Sequence, residues 1–365
     1  MKELSLEKTN ACNVAKKPYI ELMRILACFF VIFNHTNTDG FFLFSVYDPG
    51  TIRYWIFLFL SVFCKFSVPI FFAISGALLI PKEESIRIVL KKRVSRMVAV
   101  LILITAVYYA YYHLTSFSIR DFLIALYEGT GSLHLWYLYA FIPYLLGLPL
   151  LRVFVKNMKN IHFLYMAICV IAFNLLPVFE FLFLNGYCLN DNFRMSWIVS
   201  AAVIYPALGY YMENRMDIQK VTGKKLLVLW SINIICIFAS CVLTWYRAKT
   251  TGVCRESESQ MFYNTFVLVN MVTLYISFRY LQFKHPLKGA FAKVLTVIGG
   301  CTFNVYLIHI LIKDTLDVYR VLNVLKRICP SFVMLPTLLY CCIVFAIGVI
   351  LTWAFKKIPG LKRLI

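Results

Sequence analysis

Charge is scarce in this 365-residue chain. Only 15% of its residues are Asp, Glu, Lys or Arg, and acidic residues number 17 against 37 basic ones. A soluble domain carries about 25% charged and 45–50% apolar residues; here 61% are hydrophobic. That balance excludes a soluble globular domain. No CxxC pair and no Cys/His spacing suited to zinc occurs. The 12 cysteines therefore read mostly as small buried hydrophobes, and no metal site is expected. Cys188, Cys254 and Cys329 fall in loops. There is no GxSxG, which argues against a serine nucleophile on an elbow. Low-complexity tracts and visible repeats are also missing. The N-terminal MKELSLEKTNACNVAKK lacks a cleavage site of small residues and reads as a cytoplasmic tail, not a removed signal peptide.

What the chain does have is a series of apolar runs longer than about 20 residues, the length of a transmembrane helix and not of an outer-membrane strand. The expected fold is an all-α, polytopic integral membrane helical bundle. About ten transmembrane helices are predicted, near 18–39, 54–80, 97–113, 135–151, 161–178, 195–212, 226–245, 262–278, 294–312 and 332–355. The net charge of +20 does not point to nucleic acid, because its Lys and Arg alternate between loops. One side holds Lys16, Lys17, the PKEESIRIVLKKRVSR loop, Arg152, Arg215, Arg279 and Lys356; the other side is far poorer. The positive-inside rule then puts both termini in the cytoplasm of a multi-pass protein. The domain reading is a basic tail over 1–17, a membrane domain over 18–355 and a second basic tail over 356–365. Lys65, ahead of Pro69, sits within the long second span, which the proline is expected to kink.

The first span carries two ionisable residues, Arg24 and His35. Eleven steps of roughly 100° bring both side chains to one helix face, and a rise of about 1.5 Å per residue puts them ~16 Å apart. Ionisable groups at that depth usually face a bundle interior or a wet cavity. His134 and His309 fall at a similar depth to His35, near the outer face. An imidazole can take a proton from a hydroxyl near neutral pH, which makes His35 the candidate general base. The competing role for each histidine is an interhelical hydrogen bond. Arg24, always charged, needs an anion, a carbonyl or water, and Glu21 three residues earlier is a candidate ion-pair partner. Lys91, Lys92, Arg93 and Arg96 form a basic cluster suited to lipid headgroups or to a phosphate-bearing ligand. Ser75 and Gly76 suit close helix packing. Trp136 and Tyr137 suit either an aromatic belt or a surface on which a sugar stacks. From the residues alone, an enzyme, a proton-coupled transporter or polysaccharide exporter, and a receptor all remain open.

Five stretches in order resemble the acyltransferase family 3 of membrane proteins. They are Arg24-ILACFFVIFN-His35, VPIFFAISGALL, the basic RxxR element at Arg93 and Arg96, HLWYL and FNVYLIH. Met97 and Val98 stand where a proline often follows the RxxR element. The resemblance implies an O-acetyltransferase or related O-acyltransferase of the cell envelope, placed in the bacterial plasma membrane. It implies no permanently bound cofactor, with acetyl-CoA or another acyl-CoA as donor substrate and a hydroxyl of a cell-surface or lipid-linked carbohydrate as acceptor. His35 and Arg24 become the catalytic candidates. Arg93 and Arg96, with Lys91 and Lys92, become the donor-binding candidates. His134, Trp136, Tyr137, His309 and Ser75 become acceptor-side candidates. Because Ile365 closely follows the last span, no added extracytoplasmic esterase-like domain is expected.

Overall fold

A computed structural model describes residues 17–184, 187–190, 200–252 and 260–358. Most of both basic tails, the start of the predicted sixth span and Cys254 lie outside the described residues. All regular structure among the described residues is helical. The first helix, α1 (Pro18–Asn34), has Pro at its first position, where a missing N–H costs nothing. The second apolar stretch divides into α2 (Ile52–Cys64) and α3 (Ser67–Leu79). The break at Lys65 and Phe66 places Pro69 in the first turn of α3, as the expected kink requires.

The continuous helix α4 (Ile86–Tyr112) contains a π turn over Val89–Val94, within the basic cluster. It is followed by α5 (Ile119–Glu128), α6 (Trp136–Asn157), α7 (Asn160–Phe183) and α8 (Ala201–Tyr210). The remainder comprises α9 (Gly223–Thr251), α10 (Val267–Lys284), α11 (Gly289–Gly299), α12 (Thr302–Val318), α13 (Val321–Ile328) and α14 (Leu335–Phe355).

Six described stretches are long and apolar enough to cross a membrane by length and composition, α2 and α3 together counting as one; α11 and α12, bent by 56°, form a seventh if counted as one span. The ten predicted spans each have a helix at their place, but three fall short of that measure. They are α1 with 17 residues, α8 with 10 described residues, and α10, which carries Arg279 and Lys284. All three pack in the interior: seven of the ten residues of α8 are buried, against five of the 29 in α9. A helix sheathed by other helices is relieved of the need for a full lipid-facing length.

The interior contacts are backbone-close. A Cβ at Gly76 on α3 would lie 2.0 Å from the Pro206 carbonyl oxygen, and one at Gly209 on α8 would lie 1.9 Å from that of Ala73. These glycines let α3 and α8 cross at van der Waals distance, the small-residue packing that membrane helices favour. At the basic end of the bundle, Glu213 clasps two segments, the start of α1 and α10. It accepts from Lys17 Nζ at 2.5 Å, Tyr19 OH at 2.6 Å and Tyr275 OH at 2.9 Å, with Arg279 Nε 3.8 Å away. Those contacts hold the start of α1, and with it the register of Arg24 and His35.

Candidate active site

Beginning at the basic end, Arg24 projects from α1 and pairs with Glu21 one turn earlier, Nη1 donating to Oε1 at 3.0 Å and Oε2 at 3.2 Å. The expected ion pair is therefore present, yet the guanidinium is 28% exposed and also lines a cavity of about 390 Å³. Gly299 makes room for the pair, since a Cβ there would lie 2.4 Å from Glu21 Oε2. The same cavity is lined by Arg96, Ser75 and Tyr137. Ser75 spends its hydroxyl proton on the Phe71 carbonyl at 2.8 Å, a back-bond within α3, so it is not poised as a nucleophile.

The four residues of the basic cluster are separated by the π turn. Arg96 reaches the cavity, Lys91 and Lys92 are exposed, and Arg93 is held by Glu84 through Nε at 2.8 Å and Nη2 at 2.5 Å. Glu84 also accepts from Arg152 Nη2 at 2.8 Å. The fork of Arg93 beside this loop carboxylate, aided by Arg152, holds the Glu84 carboxyl down to about 2. Arg152 donates in addition to the Leu79 carbonyl from Nε and Nη2, tying α6 to the end of α3. Sequence reasoning placed Arg152 among the loop charges that set topology and missed this role. Its signal was an acidic residue between two basic stretches, but pairing over 68 residues has no local signature.

Toward the other end lies a cavity of about 640 Å³. It shares Val31, Val68, Tyr137 and Tyr306 with the Arg24 cavity, so the two adjoin at these four side chains. A third cavity of about 500 Å³ shares His35, Leu133 and His134 with the second. The three stand in series, with Arg24 and Arg96 on the first and His35 on the wall between the second and third.

The structure brings the three predicted histidines together. Ring centroids lie 5.2 Å apart for His35 and His309, 4.9 Å for His134 and His309, and 6.3 Å for His35 and His134. Their bonding separates their roles. His134 Nε2 donates to the Leu307 carbonyl at 3.3 Å, and its Nδ1 accepts from Ser132 Oγ at 2.8 Å, so both nitrogens are engaged. His309 Nδ1 donates to the Tyr306 carbonyl at 2.6 Å, and its buried Nε2 has no partner among the described residues. Tyr306 closes the group by donating its hydroxyl to the His134 carbonyl. His35, at the C-terminal cap of α1, touches both outer cavities.

The turn after His35 is strongly specified. Thr36 Oγ1 donates to the Phe33 carbonyl at 2.7 Å and accepts from the Phe41 N–H at 3.1 Å. Asn37 takes φ 47°, a left-handed conformation that Asn tolerates and that clusters at functional sites. Of the remaining candidates, Trp136 and Tyr137 line the second cavity, and Tyr137 stacks on Phe141 at 5.4 Å. No three His, Cys, Asp or Glu side chains among the described residues are placed to hold a metal ion.

A membrane-embedded helical bundle with charged groups and imidazoles strung along internal cavities defines a multi-pass protein built for chemistry or passage inside the bilayer. The family model Acyl_transf_3, described as an acyltransferase domain, matches residues 17–357, and the chain belongs to that family. No curated protein and no solved structure matches it. The chain is thus a membrane acyltransferase.

Proposed function

We propose that this acyltransferase moves an acetyl group, or another short acyl group, from acyl-CoA to a hydroxyl of a cell-surface or lipid-linked carbohydrate at the plasma membrane. One observation carries the reading: the cavity holding Arg24 and Arg96 shares four lining side chains with the cavity that His35 lines. The donor phosphates would sit at the basic, cytoplasmic mouth, with Arg96 and the exposed Lys91 and Lys92 as their first contacts. Arg93 would join them only on leaving Glu84. The thioester would pass Arg24 and reach His35 by way of Tyr137 and Tyr306, which line both cavities.

In direct transfer, the acceptor oxygen attacks the thioester carbonyl carbon and His35 takes the hydroxyl proton. The C–S bond then breaks, and the proton passes from His35 to the departing thiolate, giving ester and free thiol. Geometry favours His35 over its neighbours, because His134 has both nitrogens committed and His309 is wholly buried.

The test is turnover of acetyl-CoA by purified protein, with free CoA as readout, together with mass analysis of cell-surface glycans for an added acyl mass. Acceptor-dependent release of CoA that His35→Ala abolishes supports the reading. Compartment-dependent uptake without thioester cleavage would replace it with a transporter.

A further inference from the structure

His35 lines two cavities, and they differ in what they adjoin. The second cavity shares four lining side chains with the Arg24 cavity. The third, of about 500 Å³, shares His35, Leu133 and His134 with the second but, among the described residues, none with the Arg24 cavity. In the proposed transfer two reactants must come to one imidazole. A donor arriving past Arg24 fills the first two cavities, which leaves the third for the acceptor. Its volume lies within the roughly 300–1,000 Å³ of sites that enclose small ligands. It also lies far from the basic cluster, since about 24 Å of helix axis separate Arg96 from Tyr112 on α4.

The walls of the third cavity suit a sugar ring. Tyr112 ends α4 and lines it, as does Asp314 of α12. Tyr112 is 49% exposed, yet its ring is held in place, because its hydroxyl donates to Asp314 Oδ2 at 2.5 Å. That bond ties α4 to α12 and sets an aromatic ring beside a carboxylate. The Lys313 ammonium stands 3.7 Å from Asp314 Oδ1, outside hydrogen-bond range, and donates instead to Asp317 Oδ2 at 2.9 Å. A carboxylate accepts at about four lone-pair sites, and Tyr112 takes one of them. The others are open to hydroxyl protons, and an O–H bonded to a carboxylate is among the stronger hydrogen bonds. His113, Thr130 and Leu133, all exposed, give the cavity a mouth.

From these observations we infer that the third cavity is the acceptor site, and that it takes an uncharged sugar residue whose adjacent hydroxyls bond to Asp314 while its ring packs on Tyr112. The inference rests on the proposed acyltransferase reading. It deepens that reading by giving the acceptor a chemistry and an entrance of its own. His35 meets the sugar hydroxyl from the third cavity and the thioester from the second.

Direct binding tests it without catalysis. Protein in lipid nanodiscs is titrated with glucosides, galactosides and mannosides, each as the methyl glycoside and as the diacylglycerol glycoside, and with the matching uronates. The wild type is expected to bind at least one neutral member roughly 10- to 100-fold more tightly than its uronate, the worth of one hydrogen bond to a charged group. Asp314→Asn keeps an acceptor for Tyr112 but removes the charge, and should bring that ratio toward one. Ala125→Trp fills the cavity that Ala125 lines, and should abolish glycoside binding while acetyl-CoA still binds. Binding of the diacylglycerol form alone assigns the site to a lipid-borne sugar, and binding of both forms assigns it to the glycan itself. No binding of any neutral member, a preference for the uronate, a ratio unchanged in Asp314→Asn, or glycoside binding intact in Ala125→Trp overturns the inference. Acetyl-CoA binding and turnover on the same samples succeed or fail independently, so loss of the acyltransferase reading is told apart from loss of the sugar site.

Discussion

His309 gives its Nδ1 proton to the carbonyl of Tyr306, 2.6 Å away on the preceding turn of the same helix. That bond fixes the imidazole as a single tautomer and leaves a bare Nε2 in a ring whose centroid is 5.2 Å from that of His35. The surroundings of His35 are thus held still by neighbours whose own proton positions are set.

Replacement of His35 should separate chemistry from folding. His35→Ala is expected to lower kcat by about 100- to 10,000-fold, the usual worth of a general base. Thermal unfolding in detergent should change little. His134→Ala should instead cost about 1–3 kcal/mol of stability, because it empties a buried site and removes the imidazole's bonds to the Leu307 carbonyl, which keeps the Tyr108 hydroxyl, and to Ser132. Paired kinetic and melting curves check both halves.

The Arg24–Glu21 pair makes a prediction through Gly299, which lines the same cavity. Gly299→Ala would drive a methyl group to 2.4 Å from Glu21 Oε2 and 2.7 Å from its Cβ, so the first turn of α1 must shift. Stability should fall by about 1–3 kcal/mol, as for other overpacked sites. Turnover at saturating acceptor should fall with it, since Arg24 is displaced from the cavity. Gly147→Ala, with nothing within 4 Å of the added atom, serves as the control.

Glu84 predicts a pH dependence. Its folded value, about 2, lies below the ordinary carboxylate value near 4.3. A depressed carboxylate contributes stability that is fully present above about pH 4.3 and is lost as pH falls through about 2. Glu84→Gln should therefore lower the melting temperature at pH 7, and the gap to the wild type should shrink as pH is lowered from 4 toward 2. Melting curves of both proteins across that range are the measurement.

Helix crossing supplies a fourth. Gly209→Val would set side-chain atoms against the Ala73 carbonyl, already 1.9 Å from an added Cβ. Loss of a monodisperse peak in size-exclusion chromatography is expected, whereas Gly252→Ala, at φ 73° but in open space, should cost only about 1 kcal/mol.

Much of this architecture was legible in the residues. Apolar runs determine helices, because only helices and closed barrels satisfy backbone groups in lipid. The eleven-residue spacing put Arg24 and His35 on one face, and shared depth brought the three histidines together. Less was legible where long-range pairing decides. Arg93 looked like a free phosphate ligand, but Glu84 holds it across a loop and shares itself with Arg152. Which histidine stays available depends on the Leu307 and Tyr306 carbonyls, groups that every residue carries and that no motif marks. The 17 residues of α1 and the charged residues of α10 go with burial inside the bundle, which hydropathy alone does not distinguish from membrane crossing.

Val31, Val68, Tyr137 and Tyr306 belong to the walls of two hollows at once. Tyr137 and Tyr306 meet there with ring centroids 5.4 Å apart. A substitution at either ring therefore reshapes both chambers together, so the two halves of this interior cannot be tuned separately at that point.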